Sequence, residues 1–441
     1  MKPRSNLVLT AFAGPCLPLA AIGLPLAVVL PNFYATYVGL PIAVTGFAFV
    51  AVRLLDIGVD PFIGWAMDGT RNRFGPYRTW FALGAPVLML ASAMIFFVRP
   101  GAGFPYIFVW LLVLYLGFSV CTLAQLAWGA ALAPGYDERS RLYGWWQGAN
   151  IVGVLAALAI PAVVMGSKLG GFVIGVRAMG AFIVVSLPLT LLAALAAAPE
   201  PPRAGRRPEG GLSAWLALFR RATVRRILLC DLLLGTAPGL TAALLFFFLE
   251  FVKGFERAQS QQFMTAYFTA GLIAAPFWSW LARRIGKHRA LTAASLVFAA
   301  VYAAVGFLPP HAWGLTLAGF FVAGLPYAAG LLLTRAMMAD VADEVRLETG
   351  HDRTGLLFSL LSFTTKAGYA ISVGSLMLLG AAGFNPNGHN GPQALLTLQV
   401  LFIAVPTVLL AAAVWPLAGY PLGPKRHAEI RAALEAKGAA A

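Results

Sequence analysis

The chain has 441 residues, 60% of them hydrophobic and 11% charged, with a mean hydropathy of +0.79. Soluble domains carry about a quarter charged residues, so no water-soluble fold could bury this much apolar surface. Three cysteines and no Gly-X-Y period exclude disulfide-rich and collagen-like classes; a polytopic, all-α membrane protein remains. The net charge of +15 would suggest nucleic acid in a soluble protein, but its placement points to membrane topology instead, and no nucleic-acid partner is expected.

The first residues, MKPRSNLVLTAFAGPCLPLAA, imitate a signal peptide. Pro15 sits badly before Cys16 for cleavage and many spans follow, so an uncleaved first helix is expected. Its prolines, Pro15, Pro18, Pro25 and Pro31, suit a bending helix. A bilayer core of ~30 Å needs about 20 apolar residues per span. On that scale spans fall near 9–31, 40–66, 79–98, 105–133, 145–168 and 176–198, then 227–250, 262–282, 289–308, 312–338, 355–380 and 394–419. Placing both termini in the cytoplasm assigns 25 Lys and Arg to inner segments and 5 to outer loops. That bias predicts a multi-pass protein of the inner (plasma) membrane with both ends inside.

The stretch 199–226 is Pro- and Arg-rich, then reads LSAWLALFRR, the pattern of an interfacial helix with Arg beside Trp215 and Phe219. It separates an N-terminal six-helix half (1–198) from a C-terminal one (227–419), with a cytoplasmic tail at 420–441. A repeat supports the division. Pro61-Phe62 and Trp65 precede Arg71, Arg73 and Gly75; Pro276-Phe277 and Trp280 precede Arg283, Arg284, Gly286 and Lys287. Duplicated halves are the plan of secondary transporters, whose substrate site lies near the bilayer midplane.

An ionisable group at mid-membrane costs at least ~2.5–3.5 kcal/mol and marks function unless paired. Span 2 carries Arg53, Asp56 and Asp60. The two acids are i and i+4, on one helix face. At ~6 Å and an effective dielectric of ~20 they repel by about 3 kcal/mol. A proton or a hard monovalent cation such as Na⁺ would offset that; Arg53 as a static partner of Asp56 is the alternative. Pro61 follows directly and frees a backbone carbonyl as a further ligand. Lys366 in span 11 needs an anionic neighbour, with Asp56 and Asp60 the obvious ones, or else snorkels to the inner face. Asp231, a few residues into span 7, reads as an interfacial partner of Arg225 or Arg226, with a pathway residue the alternative. Trp128, Trp145, Trp146, Gln147 and Asn150 are candidates to line a cavity, with an aromatic belt the alternative for Trp145 and Trp146. No phosphate loop, HExxH, CxxC or nucleophile elbow occurs, so neither an enzyme nor a cofactor beyond a coupling ion is expected.

RLLDIGVDPFIGWAMDGTRNRFGPYRTW (53–80) resembles the signature of the glycoside-pentoside-hexuronide:cation symporters, the melibiose-permease-like branch of the major facilitator superfamily. YDERSRLYGWWQ (136–147), RAMMADVADEVRLETGHDRTGLLFSLLSFTTKAG (335–368) and GPQALLTLQVLFIAVP (391–406) agree, so the resemblance covers nearly the whole chain. It implies a twelve-helix major facilitator fold and cation-coupled uptake of a sugar by alternating access. Asp56 and Asp60 match the Na⁺ or H⁺ ligands, Lys366 the lysine that links cation and substrate sites, and Trp128 an aromatic beside the sugar.

The departures carry information too. The family's span 1 often bears an Asp, yet PCLPLAAIGLPL has no acid; a span 4 Asp becomes Ala124, and a span 5 arginine becomes Trp146. A polyhydroxylated ligand would lose affinity with each missing hydrogen bond. The expected substrate is therefore less polar than a disaccharide, or a glycoside with a large apolar part. Lysophospholipid symporters, similar in fold, are the extreme case. Inner closure is expected from charge pairs: Asp68 with Arg71 and Arg73, and Asp340, Asp343 and Glu344 with loop arginines, solvated surface charge being the alternative. A proton-driven exporter and a non-transporting receptor or scramblase are the rival functions. A monomer is expected.

Overall fold

The structure, a computed structural model, describes residues 4–166, 171–200, 216–385 and 390–439. Lys2, Lys168 and most of the 199–226 linker, Trp215 included, lie outside the described residues. Those described are helical, with no strand among them.

Among the described residues, twelve membrane-length helical stretches follow one another. They are α1 (6–38), α2 (Ile42–Gly69), α3 (Pro76–Phe96), α4 (Phe104–Leu132), α5 (Tyr136–Gly166), α6 (Phe172–Ala197), α7 (Ala222–Val252), α8 (Arg257–Ile285), α9 (Lys287–Gly306), α10 (Trp313–Thr349), α11 (Thr354–Ala381) and α12 (Pro392–Leu417). A final helix, α13 (Pro424–Ala439), is polar. Nine of the twelve, among the described residues, are long and apolar enough to cross a bilayer on composition alone. The other three, α2, α5 and α8, have 28, 31 and 29 residues. α5 begins well before the apolar stretch that starts near Trp145, because Asp137 and Glu138 in its first turn favour a helix N-terminus. α1 is broken after Ala13 and widens to π-helical turns at Pro25–Val29 and Tyr34–Val38. Proline removes the i−4 hydrogen bond, and the first of these wide turns begins at one.

The chain forms two compact units. The first is Met1–Trp215 with Val345–Ser359; the second is Leu216–Glu344 with Leu360–Ala441. In the first, Arg4 donates its backbone N–H to Glu138, and Arg78 donates its own to Glu200. These contacts gather one set of basic loops at one end, called here the basic end. In the second unit Arg226 donates to the carbonyls of Ala418 and Gly419, defining the corresponding end.

Each unit turns its loop the same way. Gly75, N-cap of α3, has φ 92° and ψ 134°; Gly286, N-cap of α9, has φ 94° and ψ 148°. A side chain disfavours this backbone region, so both loops need glycine. The paired Gly75 and Gly286 of the sequence repeat thus share one backbone conformation.

Packing within lipid gains little from water release and depends on close contact. In the second unit Phe248 stacks on Phe402 with centroids 4.0 Å apart, and Phe263 joins Phe255 and Phe320 in the same buried cluster. The three cysteines, Cys16, Cys121 and Cys230, are buried free thiols.

Candidate functional site

The first unit places two acids in its interior. Asp56 is 2% exposed and Asp60 0%. Both lie on α2, and Ser119 of α4 donates its hydroxyl to Asp56 at 2.7 Å. Counting from the basic end at 1.5 Å per residue, Asp56 is ~20 Å deep, Asp60 ~14 Å and Ser119 ~20 Å. Pro61 lies inside α2 and has no N–H for the carbonyl of Ile57, one turn back. Two carboxylates, a hydroxyl and a freed carbonyl therefore lie within about one helical turn of depth, ~14–20 Å from the basic end. Oxygen groups of this kind are what hard cations take as ligands. Arg53 is half-buried and lies within electrostatic reach of Tyr115, as does Asp56.

A second feature is unsatisfied polarity. Gln147 of α5 is 0% exposed, yet neither its Oε1 nor its Nε2 has a hydrogen-bond partner among the described residues. The indole Nε1 of buried Trp128 and the hydroxyl of Thr122 are in the same condition. Each such group in an apolar interior costs about 1–3 kcal/mol unless it finds a partner, so the three are candidate contacts for a polar guest. Gln147 lies ~17 Å from the basic end of α5, level with the acids. Trp128 is only ~6 Å from the basic end of α4. There its ring meets Phe12 edge-on at 5.5 Å and the Arg78 guanidinium at 5.8 Å. The structure therefore groups Gln147, but not Trp128, with the depth of Asp56 and Asp60. Trp146 is buried and Asn150 half-buried, while Trp145 is exposed, which separates the adjacent tryptophans. Ser119 and Thr122 were missed by the sequence reading; a lone hydroxyl in an apolar span was their only signal. Lys366 is half-buried on α11 in the second unit.

Asp231 corrects an expectation. It is not an interfacial partner of Arg225 or Arg226, whose guanidinium groups bind backbone carbonyls of Arg220 and of Ala418 and Gly419. α7 starts at Ala222, so Asp231 lies ~14 Å inside it. There it is buried, 3.4 Å from Arg335 and 2.8–3.2 Å from the hydroxyls of Thr334, Thr364 and Thr365.

At the basic end of the first unit, Asp68 is buried and acts as a helix cap. It accepts the N–H groups of Gly355 and Leu356, both at 2.8 Å, and the Tyr77 hydroxyl at 3.0 Å. A Cβ at Gly355 would lie 2.8 Å from the same carboxylate oxygen, so only glycine permits this approach. Arg71 donates to the carbonyls of Asp68 and Thr70, and Arg73 lies over the Phe74 ring at 4.9 Å. Glu200, 7% exposed, caps α3 by accepting from Tyr77 and Arg78. Burial pushes its pKa up to about 8, with Asp352 adding to the rise and Arg78 opposing it. In the second unit Asp340 meets Lys287 at 2.6 Å and His427 at 3.6 Å. Asp343 meets His427 at 3.1 Å and Arg431 at 3.7 Å; Glu344 accepts from Thr223.

A bundle of twelve long helices in two units, with acids held inside it, is a transporter scaffold of the major facilitator type. The chain matches the family described as MFS/sugar transport protein over residues 11–424, and it belongs to that family. It is 22% identical over 413 residues to the glucuronide carrier protein homolog of Escherichia coli (strain K12), covering 92% of this chain and 90% of that one. It is 21% identical over 455 residues to the sodium-dependent lysophosphatidylcholine symporter 1 of Xenopus tropicalis, covering 92% and 83%. Among solved structures, the E. coli fucose:proton symporter FucP superposes with a TM-score of 0.67 at 16% identity, over 92% of this chain and 98% of that one. At that identity the likeness establishes the fold.

Proposed function

We propose that this membrane transporter is a cation-coupled symporter in which Asp56 and Asp60 hold the driving ion, Na⁺ or H⁺. The observation that carries this is the pair of fully interior carboxylates one turn apart on α2, with Ser119 donating to one of them. Two ionised carboxylates at this spacing repel by about 3 kcal/mol. A cation offsets that repulsion, and it shifts the conformational equilibrium as far as it binds the two states differently. Lys366 and Arg53 serve as coupling charges, adjusting to the ion's arrival. The polar groups of Gln147, with Trp146 and Asn150 at similar depth and Trp128 nearer the basic end, meet the solute, a sugar, glycoside or related small organic molecule. Asp68, Arg71, Arg73, Asp340, Asp343 and Glu344 belong to the inner closure. The basic ends face the cytoplasm of a plasma membrane and the protein works as a monomer.

An amphipathic solute is the second reading. It is favoured by Ala124 and Trp146 standing where the family's sugar permeases carry charge, and by the lysolipid relative. The test is uptake by proteoliposomes under an imposed Na⁺ or pH gradient. Accumulation above the outside concentration, lost with an ionophore, is expected. Equilibration without accumulation under either gradient would overturn the proposal.

A further inference from the structure

Next to the loop held by Gly75 or Gly286, each unit exposes the same pair of aromatic rings. On α8 of the second unit Phe277 and Trp280 are 50% and 45% exposed, with ring centroids 6.0 Å apart. On α2 of the first, Phe62 and Trp65 are 63% and 46% exposed. Both pairs are i and i+3, on one helix face. At 1.5 Å per residue Trp280 lies ~8 Å and Phe277 ~12 Å from the basic end of α8. Their exposure places these rings outside the interior that holds the transport residues. Rings at that depth sit where headgroups give way to acyl chains.

The second unit adds charge to this surface. Residues 276–290, PFWSWLARRIGKHRA, hold Arg283, Arg284, Lys287 and Arg289 and no acid. Lys287 is buried against Asp340, whereas the three arginines are exposed. Among the described residues, none of the three has a carboxylate partner. Arg284 lies over the Trp280 ring at 5.6 Å, and a stacked guanidinium keeps the N–H groups of its rim for an anion. The first unit lacks this surplus: Asp68 lies in its turn, and Arg71 donates to the backbone carbonyls of Asp68 and Thr70. The α8–α9 turn thus offers guanidinium groups at the loop and bare aromatic faces a turn or two below. A free phosphate would use only the former and a neutral lipid only the latter. An anionic phospholipid uses both, and basic clusters at a membrane surface attract such lipids.

We propose that the α8–α9 turn of the second unit is a docking surface for one anionic phospholipid. Its phosphate sits on the exposed arginines of the turn and its acyl chain runs along Trp280 and Phe277. The full chain, purified in a neutral detergent, is titrated with dioleoylphosphatidylglycerol or dioleoylphosphatidylcholine, and bound lipid is counted by native mass spectrometry. These probes share their acyl chains and differ in headgroup charge. The first phosphatidylglycerol is expected to bind at least tenfold more tightly than the first phosphatidylcholine. Arg283→Gln, Arg284→Gln and Arg289→Gln together should erase that preference, and Trp280→Ala should weaken phosphatidylglycerol at least threefold. A variant with the same loss of charge among other exposed arginines, Arg220→Gln, Arg225→Gln and Arg426→Gln, should keep the preference. Equal binding of the two lipids by the wild-type chain overturns the proposal, and that comparison requires no variant to fold. So does an equal loss in the charge-matched variant, which would assign the effect to the net charge of the whole end. Displacement of phosphatidylglycerol by excess glycerol 3-phosphate would likewise overturn it, since the rings would then hold no chain.

Discussion

Replacing Asp60 with Asn should abolish cation binding. The two carboxylates, ~6 Å apart, repel by about 3 kcal/mol at an effective dielectric of ~20. A monovalent cation ~2.5 Å from a carboxylate gains about 7 kcal/mol on the same scale. The substitution forfeits one such attraction, while the repulsion is the same with and without the ion and cancels in the affinity, a loss of about 7 kcal/mol, or roughly 10⁵-fold. Ligand at 100 times its dissociation constant stabilises the folded state by about 2.7 kcal/mol; after so large a weakening essentially none of that remains. Thermal unfolding of the purified protein, with and without Na⁺ and at two pH values, reads this directly. Wild type should gain several degrees from the cation and Asp60→Asn almost none. An unchanged cation-induced shift in Asp60→Asn would refute the reasoning.

Asp68→Ala removes the acceptor for the Gly355 and Leu356 amides. A loss of roughly 0.5–2 kcal/mol is expected, with faster hydrogen exchange at those amides. Gly75→Ala forces a side chain into a φ of 92° and against the Glu200 carboxylate; a lower melting temperature is expected, larger than that of an alanine placed at exposed Gly101. Glu200 retains its proton to about pH 8 in the folded chain and releases it near 4.5 when unfolded. The folded state thus holds more protons in that window, and stability falls as pH rises through it. Melting temperature should therefore decline from pH 5 to 8.5 in wild type and more weakly in Glu200→Gln. Lys366→Ala should lower the accumulation ratio in proteoliposomes more than the melting temperature; an unaltered response to Na⁺ and pH gradients would remove its coupling role.

The helical membrane class and the family were legible because they are written in composition and in local runs such as RLLDIGVDPF. Asp56 and Asp60 stood out because an acid in an apolar span is costly wherever the helix faces, and their burial accords with that cost. Gly75 and Gly286 were legible as a repeat, though not as a shared backbone conformation. Asp231 was misread because hydropathy places the start of span 7 near residue 227, whereas the helix begins at Ala222, which carries the acid a further turn inward. The capping of residues 355 and 356 by Asp68 joins positions 287 and 288 apart in sequence. Glu200 and His427 likewise reveal their burial only through distant neighbours, which no local pattern encodes.

Symport makes the driving ion and the solute pull on each other, so the most direct test runs the coupling backwards. Proteoliposomes without any ion gradient receive solute on one side, and internal Na⁺ and pH are followed by fluorescence. Solute entry should draw one of these cations inward in fixed proportion, and Asp60→Asn should sever that link. Solute that crosses with neither ion moving would contradict the assignment of Asp56 and Asp60.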